Sequence, residues 1–400
     1  MIQTNCMSVS INIPQILMRP SLRNERRVLT RRCHTNCVSQ PLSGYFINTQ
    51  SWESMSSAHQ ILSKIYAVAR EHPFWPVSVV SAAALFGVNL PKSFHRHIHF
   101  ATDMHTSTSP RKRIPIRFHY VKESCPKRKI TRAFRRLYQT KRSDGIVAHP
   151  YFPINDRIGI LNGVVVTSPL QTIFDCMRTL PFEYALIVGD QIARKFNVSR
   201  QKILRFACKR RHCWKLSATL FKLGFIDAKS ENGGESFCRG RIIRAGFVTP
   251  TLQKEIENPL FALHRHSSPT LQSTRIIRPD YVWTINHPKK SSSTTRTRQF
   301  QHIAAELDGK GKYFDRSVLA SSHTDTAAVI MREKDRETAL SLKNFKLVRF
   351  QFSEAYELQG DALIEKLRLA GVPIVNRWEA RRRERLLARY TGHKTLLRLD

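Results

Sequence analysis

Acid is what this sequence is short of. Its 400 residues hold 30 Asp plus Glu against 66 Lys plus Arg, a formal charge of +36. Such a chain repels itself unless a polyanion or counterions neutralise it. Nucleic acid is therefore the first partner to consider and an anionic membrane surface the second, with a basic habit and no specific partner as the bland alternative. Long apolar runs are missing too. None approaches the ~18 residues of a membrane span, and the most apolar stretch, Val77 to Leu90, is short and contains Ser81 and Gly87. Met1 to Pro20 mixes Asn, Gln and Ser into its apolar residues, unlike a signal peptide, so a cytoplasmic location is expected. Zinc spacing is absent as well. Cys33-His34 with Cys37, and Cys208 with His212-Cys213, lack the Cys-x2-Cys step and fall in different predicted domains, so ordinary thiols are expected.

What is present suggests an α+β, multidomain chain, long enough for two or three cores. Residues 1–50 are basic, with Arg23, Arg26, Arg27, Arg31 and Arg32 close together and Pro14, Pro20 and Pro41 breaking any period; poor order is expected through residue 40 or so. Residues 51–225 read as helices around a small sheet. Ile61, Leu62, Ile65, Tyr66, Val68 and Ala69 recur at helical spacing up to Pro73, a second helix covers Ser78 to Phe86, and strands follow at His97 to Ala101 and Pro115 to Val121. Gly163 to Val166 is a further strand, after which Ser168 can cap a helix that has Pro169 at its first position. Asp175 and Asp190 lie on amphipathic helices and are read as structural.

Within this domain, 122–150 is a basic insert. From Arg111 to Arg142 only Glu123 is acidic. Arg128, Arg132, Arg135, Arg136, Lys141 and Arg142 are candidate nucleic-acid contacts, interleaved with Phe134, Leu137 and Tyr138. A phosphate-following surface with apolar anchors fits this pattern, and so does a solvated, loosely ordered insertion.

Residues 226–234, IDAKSENGG, read as a linker. Beyond it, a helix Ser236 to Ala245, strands at Thr251 to Ile256, Tyr281 to Ile285 and Ile303 to Leu307, a helix Thr326 to Leu342 and a strand Lys346 to Phe350 give an αβββαβ order over 235–370. Residues 264–273 and 288–298 would be long loops. Strand alternation puts Glu306 and Asp308 on one face, Asp280 starts the neighbouring strand, and Gly309 and Gly311 allow a turn that returns Lys310 and Lys312 to the acids. Carboxylates so placed can meet a hard divalent cation of the Mg2+ type, or be turn residues only. Residues 371–400 read as a basic helix, with Trp378, Leu386, Leu387 and Tyr390 on one side, a pattern that fits lying along a nucleic-acid backbone and equally a solvated basic helix.

Gly234-Glu235-Ser236, Leu252-Gln253, Pro279-Asp280-Tyr281, Glu306-Leu307-Asp308-Gly309 with Lys312-Tyr313, Arg332-Glu333-Lys334 with Arg336, and Leu347-Val348-Arg349-Phe350 follow one another in an order that resembles the C-terminal domain of the bacterial abortive-infection type IV antitoxin (AbiEi) family. That domain is similar in turn to PD-(D/E)XK nucleases of the very-short-patch-repair type. Gly44-Tyr45-Phe46-Ile47 resembles the wing strand of the family's N-terminal winged helix, and Thr167-Ser168-Pro169 with Asp175 and Asp190 resembles its middle domain. The resemblance implies a restriction-endonuclease-like C-terminal domain in which Asp280 and Glu306 hold Mg2+ and Glu235 is the first helix's acid. The lysine usual two positions after Glu306 is Asp308 here, leaving its role to Lys310, Lys312 or Lys334. It further implies DNA as partner, a cognate nucleotidyltransferase toxin and Mg2+-dependent endodeoxyribonuclease activity. The alternative is a non-catalytic transcriptional regulator or antitoxin with a degenerate nuclease fold.

Overall fold

Apolar residues every three to four positions make the helices of this chain, and β-branched runs between turn residues make its strands. The computed structural model describes residues 17–104, 114–140, 151–210, 213, 215–261, 274–285, 302–308 and 326–388, except for the side chains of 138–140, 326–332 and 388. In chain order these contain α1 (Arg23–Cys33), β1 (Val38–Leu42), β2 (Tyr45–Asn48), α2 (Thr49–Glu53), α3 (Ser57–Glu71), α4 (Val79–Leu85), β3 (Ile98–Thr102), β4 (Ile116–Tyr120), α5 (Lys127–Thr140), β5 (Phe152–Pro153), β6 (Ile158–Leu161), β7 (Val164–Thr167), α6 (Pro169–Thr179), α7 (Phe182–Lys195), α8 (Arg200–Cys208), α9 (Leu216–Leu223) and α10 (Gly233–Arg244). They continue with β8 (Thr251–Leu252), β9 (Ile256–Glu257), β10 (Ile276–Ile277), β11 (Tyr281–Thr284), β12 (His302–Leu307), α11 (Thr326–Leu342), β13 (Phe345–Phe350), α12 (Phe352–Tyr356), α13 (Asp361–Ala370) and α14 (Arg377–Ala388). The class is mixed α+β. Among the described residues no helix is long and apolar enough to cross a membrane.

Two compact units divide the chain, the first taking residues up to 179 with 201–212, the second 180–200 with 213–392. In the first, β1 and β2 pair around Gly44, whose φ of +83° suits a residue without Cβ. Residues 23–33, expected to be poorly ordered, instead form α1, a helix with no buried residue. Every residue of α4 is buried, because Ser81, Ala82, Ala83 and Ala84 let neighbours approach closely. Val77 bridges both Phe100 and Val166 and so joins the parallel pair β3 and β4 to the meander β5, β6 and β7. Ser168 Oγ accepts the Gln171 N–H at 3.1 Å, the expected cap of α6.

The second unit is built on a four-stranded sheet in the order β13, β12, β11, β8, with β12 parallel to β13 and the other pairs antiparallel. Tyr281, Trp283, Ile303 and Ala305 pack on one face with Cys238 and Ile242 of α10 and Leu363 and Leu367 of α13. Val282 and Ala304 pack on the other with Ala339 and Leu340 of α11. Helix, three strands, helix and strand thus follow one another as α10, β8, β11, β12, α11 and β13. The single strand expected at 251–256 is split, because Gln253 takes a φ of +49° and turns the chain; β9 then pairs with β10. The segment read as a linker at 226–234 lies inside this unit, where Asp227 and Glu231 donate backbone N–H groups to Asp190 and Glu235. α7, assigned from sequence to the preceding domain, belongs here too. It packs on α10 so closely that a Cβ on Gly240 would stand 2.9 Å from Glu183 Cα. In α14, Leu386 and Leu387 are buried but Trp378 is 69% exposed, contrary to the single side expected for them. Residues 378 and 386 differ by eight steps, which turns them about 80° apart on a helix.

Candidate functional sites: an acid cluster and a basic helix

Asp280 precedes β11, and Glu306 sits near the end of β12. Tyr281 pairs with Ala305 and Val282 with Ala304, so alternation places Asp280 and Glu306 on the same face of the sheet, the face covered by α11. Asp280 is fixed by two donors, the Leu307 N–H at 2.9 Å and Gln253 Nε2 at 3.3 Å. Burial raises its pKa and the Glu306 charge adds to the rise, opposed by the Leu307 N–H, Gln253 and Arg336.

Glu306 is held by a cation that the sequence reading did not assign to the site. Arg336 of α11 donates Nε to Glu306 Oε1 at 2.9 Å and brings Nη2 to 2.6 Å of the same oxygen. Its Nη2 also donates to the Arg278 carbonyl at 2.8 Å, so one guanidinium ties α11 to β12 and to the segment between β10 and β11. Arg349 Nε stands 4.0 Å from the other oxygen of Glu306. The signal was within the quoted motif Arg332-Glu333-Lys334-x-Arg336, two positions past the lysine chosen. Lys334 is exposed on α11, and Asp308 is half-buried with its N–H donated to the Phe350 carbonyl. Lys310, Lys312, Lys141 and Arg142 lie outside the described residues.

Glu235 stands third in α10 and has a capping role. Its Oε2 accepts the Glu231 N–H at 2.7 Å and its Oε1 accepts Asn232 Nδ2 at 2.6 Å, while Asn232 Oδ1 accepts the Glu235 N–H. Burial pushes its pKa up to about 7, and the neighbouring Asp280 charge adds to that against the Glu231 N–H.

Glu235 therefore feels the Asp280 charge and Asp280 that of Glu306, but the three carboxylates do not form a ligand set. Glu306 is neutralised by a guanidinium, both oxygens of Glu235 are engaged by the start of α10, and among the described residues no three His, Cys, Asp or Glu side chains are placed to hold a metal ion. As arranged, these donors do not fit the Mg2+ that the family resemblance implies, which needs open carboxylate oxygens at near-octahedral angles.

The second site lies in the first unit. Residues 122–150 contain no loose insertion over 127–140, where α5 forms instead. Ile130, Ala133, Phe134 and Leu137 recur at helical spacing and pack with Ile158, Ile160 and Val165 of the meander. That docking turns Lys127, Arg128, Lys129, Arg132, Arg135 and Arg136 outward, all exposed. Among the described residues no acid pairs with Arg128, Arg132 or Arg135. Asp175 and Asp190 occupy structural positions: Asp175 accepts from Gln171 and Arg178, and Asp190 from Arg239 and the Asp227 N–H. Compared with known proteins, the chain matches no family model, no curated protein and no solved structure.

Proposed function

We propose that this protein binds duplex DNA without cleaving it, with α5 as the element that follows the phosphate backbone. The observation that carries this reading is the docked helix itself. Its apolar stripe is covered by the sheet, and what it offers to solvent from Lys127 to Arg136 is cationic along about 14 Å. Arginine is the side chain best suited to phosphate, since its planar fork donates two parallel hydrogen bonds. The overall charge of +36 adds a long-range attraction of the same sign.

Replacing Arg128, Arg132, Arg135 and Arg136 together by glutamine tests this. Each phosphate contact removed lowers the slope of log K against log salt by about 0.9, so a fall of 3 to 4 is expected, with roughly 100-fold weaker binding of a 20-base-pair duplex at about 0.1 M salt. Fluorescence anisotropy over a salt series measures both. An unchanged slope would remove α5 from the interface.

The αβββαβ order with Asp280 and Glu306 on one sheet face supports a nuclease ancestry for the second unit. Arg336 is then the resident cation of the acid cluster. The Arg336→Ala variant should lose about 2 kcal/mol of stability, since Glu306 and Asp280 are left facing each other. Millimolar Mg2+ should then raise its melting temperature while leaving the wild type unmoved. Plasmid incubated with wild-type protein and Mg2+ or Mn2+ should remain intact, and cutting that Asp280→Ala abolishes would overturn the non-catalytic reading.

A further inference from the structure

Helix α14 is cationic and also presents an aromatic ring. Its inner face is fixed within the second unit: Leu386 packs with Ala218 and Phe221, and Arg383 donates Nη1 to the carbonyls of Ile243 and Phe247 at 3.0 and 2.7 Å. The outer face carries Trp378, 69% exposed, with exposed Arg377, Arg381, Arg382 and Arg385 around it. A tryptophan that exposed gains nothing from burial in this fold. Its neighbour Arg382 lies with Cζ 5.4 Å from the Trp378 ring and 4.9 Å from the half-buried Phe221 ring, a run of ring, guanidinium and ring held in line by the Glu379 carboxylate at 3.5 Å.

Arg377, Arg381 and Arg385 follow at every fourth position, which on a helix gives a row of guanidinium groups spaced by about 6 Å. That step is on the scale of successive phosphates in an extended strand. A flat ring beside a row of cations has one polymeric complement: a strand whose bases are unpaired, so that one base can stack on the indole while the phosphates run along the arginines. In a duplex the base faces are occupied by their neighbours, and the ring would add nothing. A lipid surface is disfavoured, because an interfacial helix inserts its apolar face, and here Leu386 and Leu387 are buried in protein.

We propose that the outer face of α14 is a single-stranded nucleic-acid site in which Trp378 stacks on a base and Arg377, Arg381 and Arg385 contact the flanking phosphates. The inference adds a substrate class to the nucleic-acid reading but rests on a different helix in the other unit, so the two can fail separately.

The test compares wild type, Trp378→Ala and Trp378→Phe with the α5 glutamine variant, against an unstructured oligothymidine 20-mer, the matching oligouridine, a 20-base-pair duplex and phosphatidylglycerol vesicles. Trp378→Ala should bind the single strands about tenfold more weakly, the loss of one stacked base, and bind the duplex as wild type does. Trp378→Phe should retain most of the affinity while losing the fluorescence quenching that oligothymidine produces in wild type. Oligothymidine and oligouridine arms that respond alike place the recognition in base and phosphate; a difference between them identifies DNA or RNA as the strand read. Equal single-strand affinity in wild type and Trp378→Ala overturns the proposal. So does a matching loss for the duplex, or vesicle binding that depends on Trp378. Failure of the α5 variant to weaken duplex binding counts against the duplex site on α5 alone. Because the ring is exposed, thermal melts of both Trp378 variants should overlay that of the wild type.

Discussion

Asp190→Ala is expected to destabilise the second unit by about 3–5 kcal/mol, the cost of leaving one charge of a buried pair without its partner. Asp190 on α7 and Arg239 on α10 are 0% and 2% exposed at their side chains and meet at 2.6 Å. Two further groups of the pair are also bonded, while Arg239 Nε is buried and, among the described residues, has no partner. Asp190 Oδ1 accepts the Asp227 N–H at 2.9 Å, and Arg239 Nη1 donates to the Phe225 carbonyl at 2.6 Å. Removing the carboxylate leaves a guanidinium in the dry contact between two helices and orphans the Asp227 N–H. The matched double variant Asp190→Leu, Arg239→Met removes both charges and should recover most of the loss, because apolar side chains of similar size replace a buried pair with little penalty. Urea unfolding of wild type and the two variants measures this. A single variant within 1 kcal/mol of wild type would mean that water reaches the pair.

This pair also marks how far the sequence could be read. Asp190 on an amphipathic helix is correctly read as structural, since a buried carboxylate inside a helix needs a cation more often than a substrate. The identity of that cation is hidden, because Arg239 is 49 positions away and nothing in local pattern selects it from 66 basic residues. α7 is legible as a helix but its membership of the second unit is not, for the same reason: the contact that decides it is the fit of Gly240 against Glu183. The strand order 281–285, 303–307 and 346–350 follows from β-branched and aromatic runs, and the structure keeps it to within a residue or two. Arg336 escapes notice because lysine was sought at the acids by analogy, whereas a half-buried carboxylate beside another is better served by a bidentate cation. The split at Gln253 depends on a positive φ taken by a residue that rarely adopts one, with Asp280 accepting its side chain as compensation. In α14 the error was one of phase, since counting Trp378 with Leu386 ignores the 100° step.

Acid is expected to undo the first unit well before it titrates ordinary carboxylates, through two histidines facing each other across β3 and β4. His99 Nδ1 and His119 Nε2 are 2.7 Å apart, with rings nearly parallel at 14°. One nitrogen must donate and the other accept. Among the described residues His99 Nε2 is buried without a partner, so the less costly tautomer leaves a lone pair there and puts the proton on Nδ1, directed at His119. A second proton on His119 Nε2 would set N–H against N–H. Burial lowers both pKa values, His119 to about 3, and the charges of Arg117 and Arg178 push His119 further the same way, while His119, Arg117, His97 and His95 do so for His99. Burial alone holds His95 at about 4. The sign follows directly. Above pH 6.5 the folded and unfolded chains both hold these imidazoles neutral. Below it the unfolded chain takes up protons that the folded one refuses, so stability is lost as pH falls from 6.5 towards 3. For His119 alone the shift corresponds to about 4–5 kcal/mol at the bottom of that window. Urea midpoints of wild type should therefore drop steeply between pH 6.5 and 4.5. His119→Asn, which can still receive the His99 proton through its amide oxygen but does not titrate, should show a slope smaller by about one proton. Since α5 packs on the same unit, duplex binding should disappear over the same interval although acid adds positive charge to the protein. Equal slopes for wild type and variant would mean that the imidazole pair opens to water before it takes up the proton.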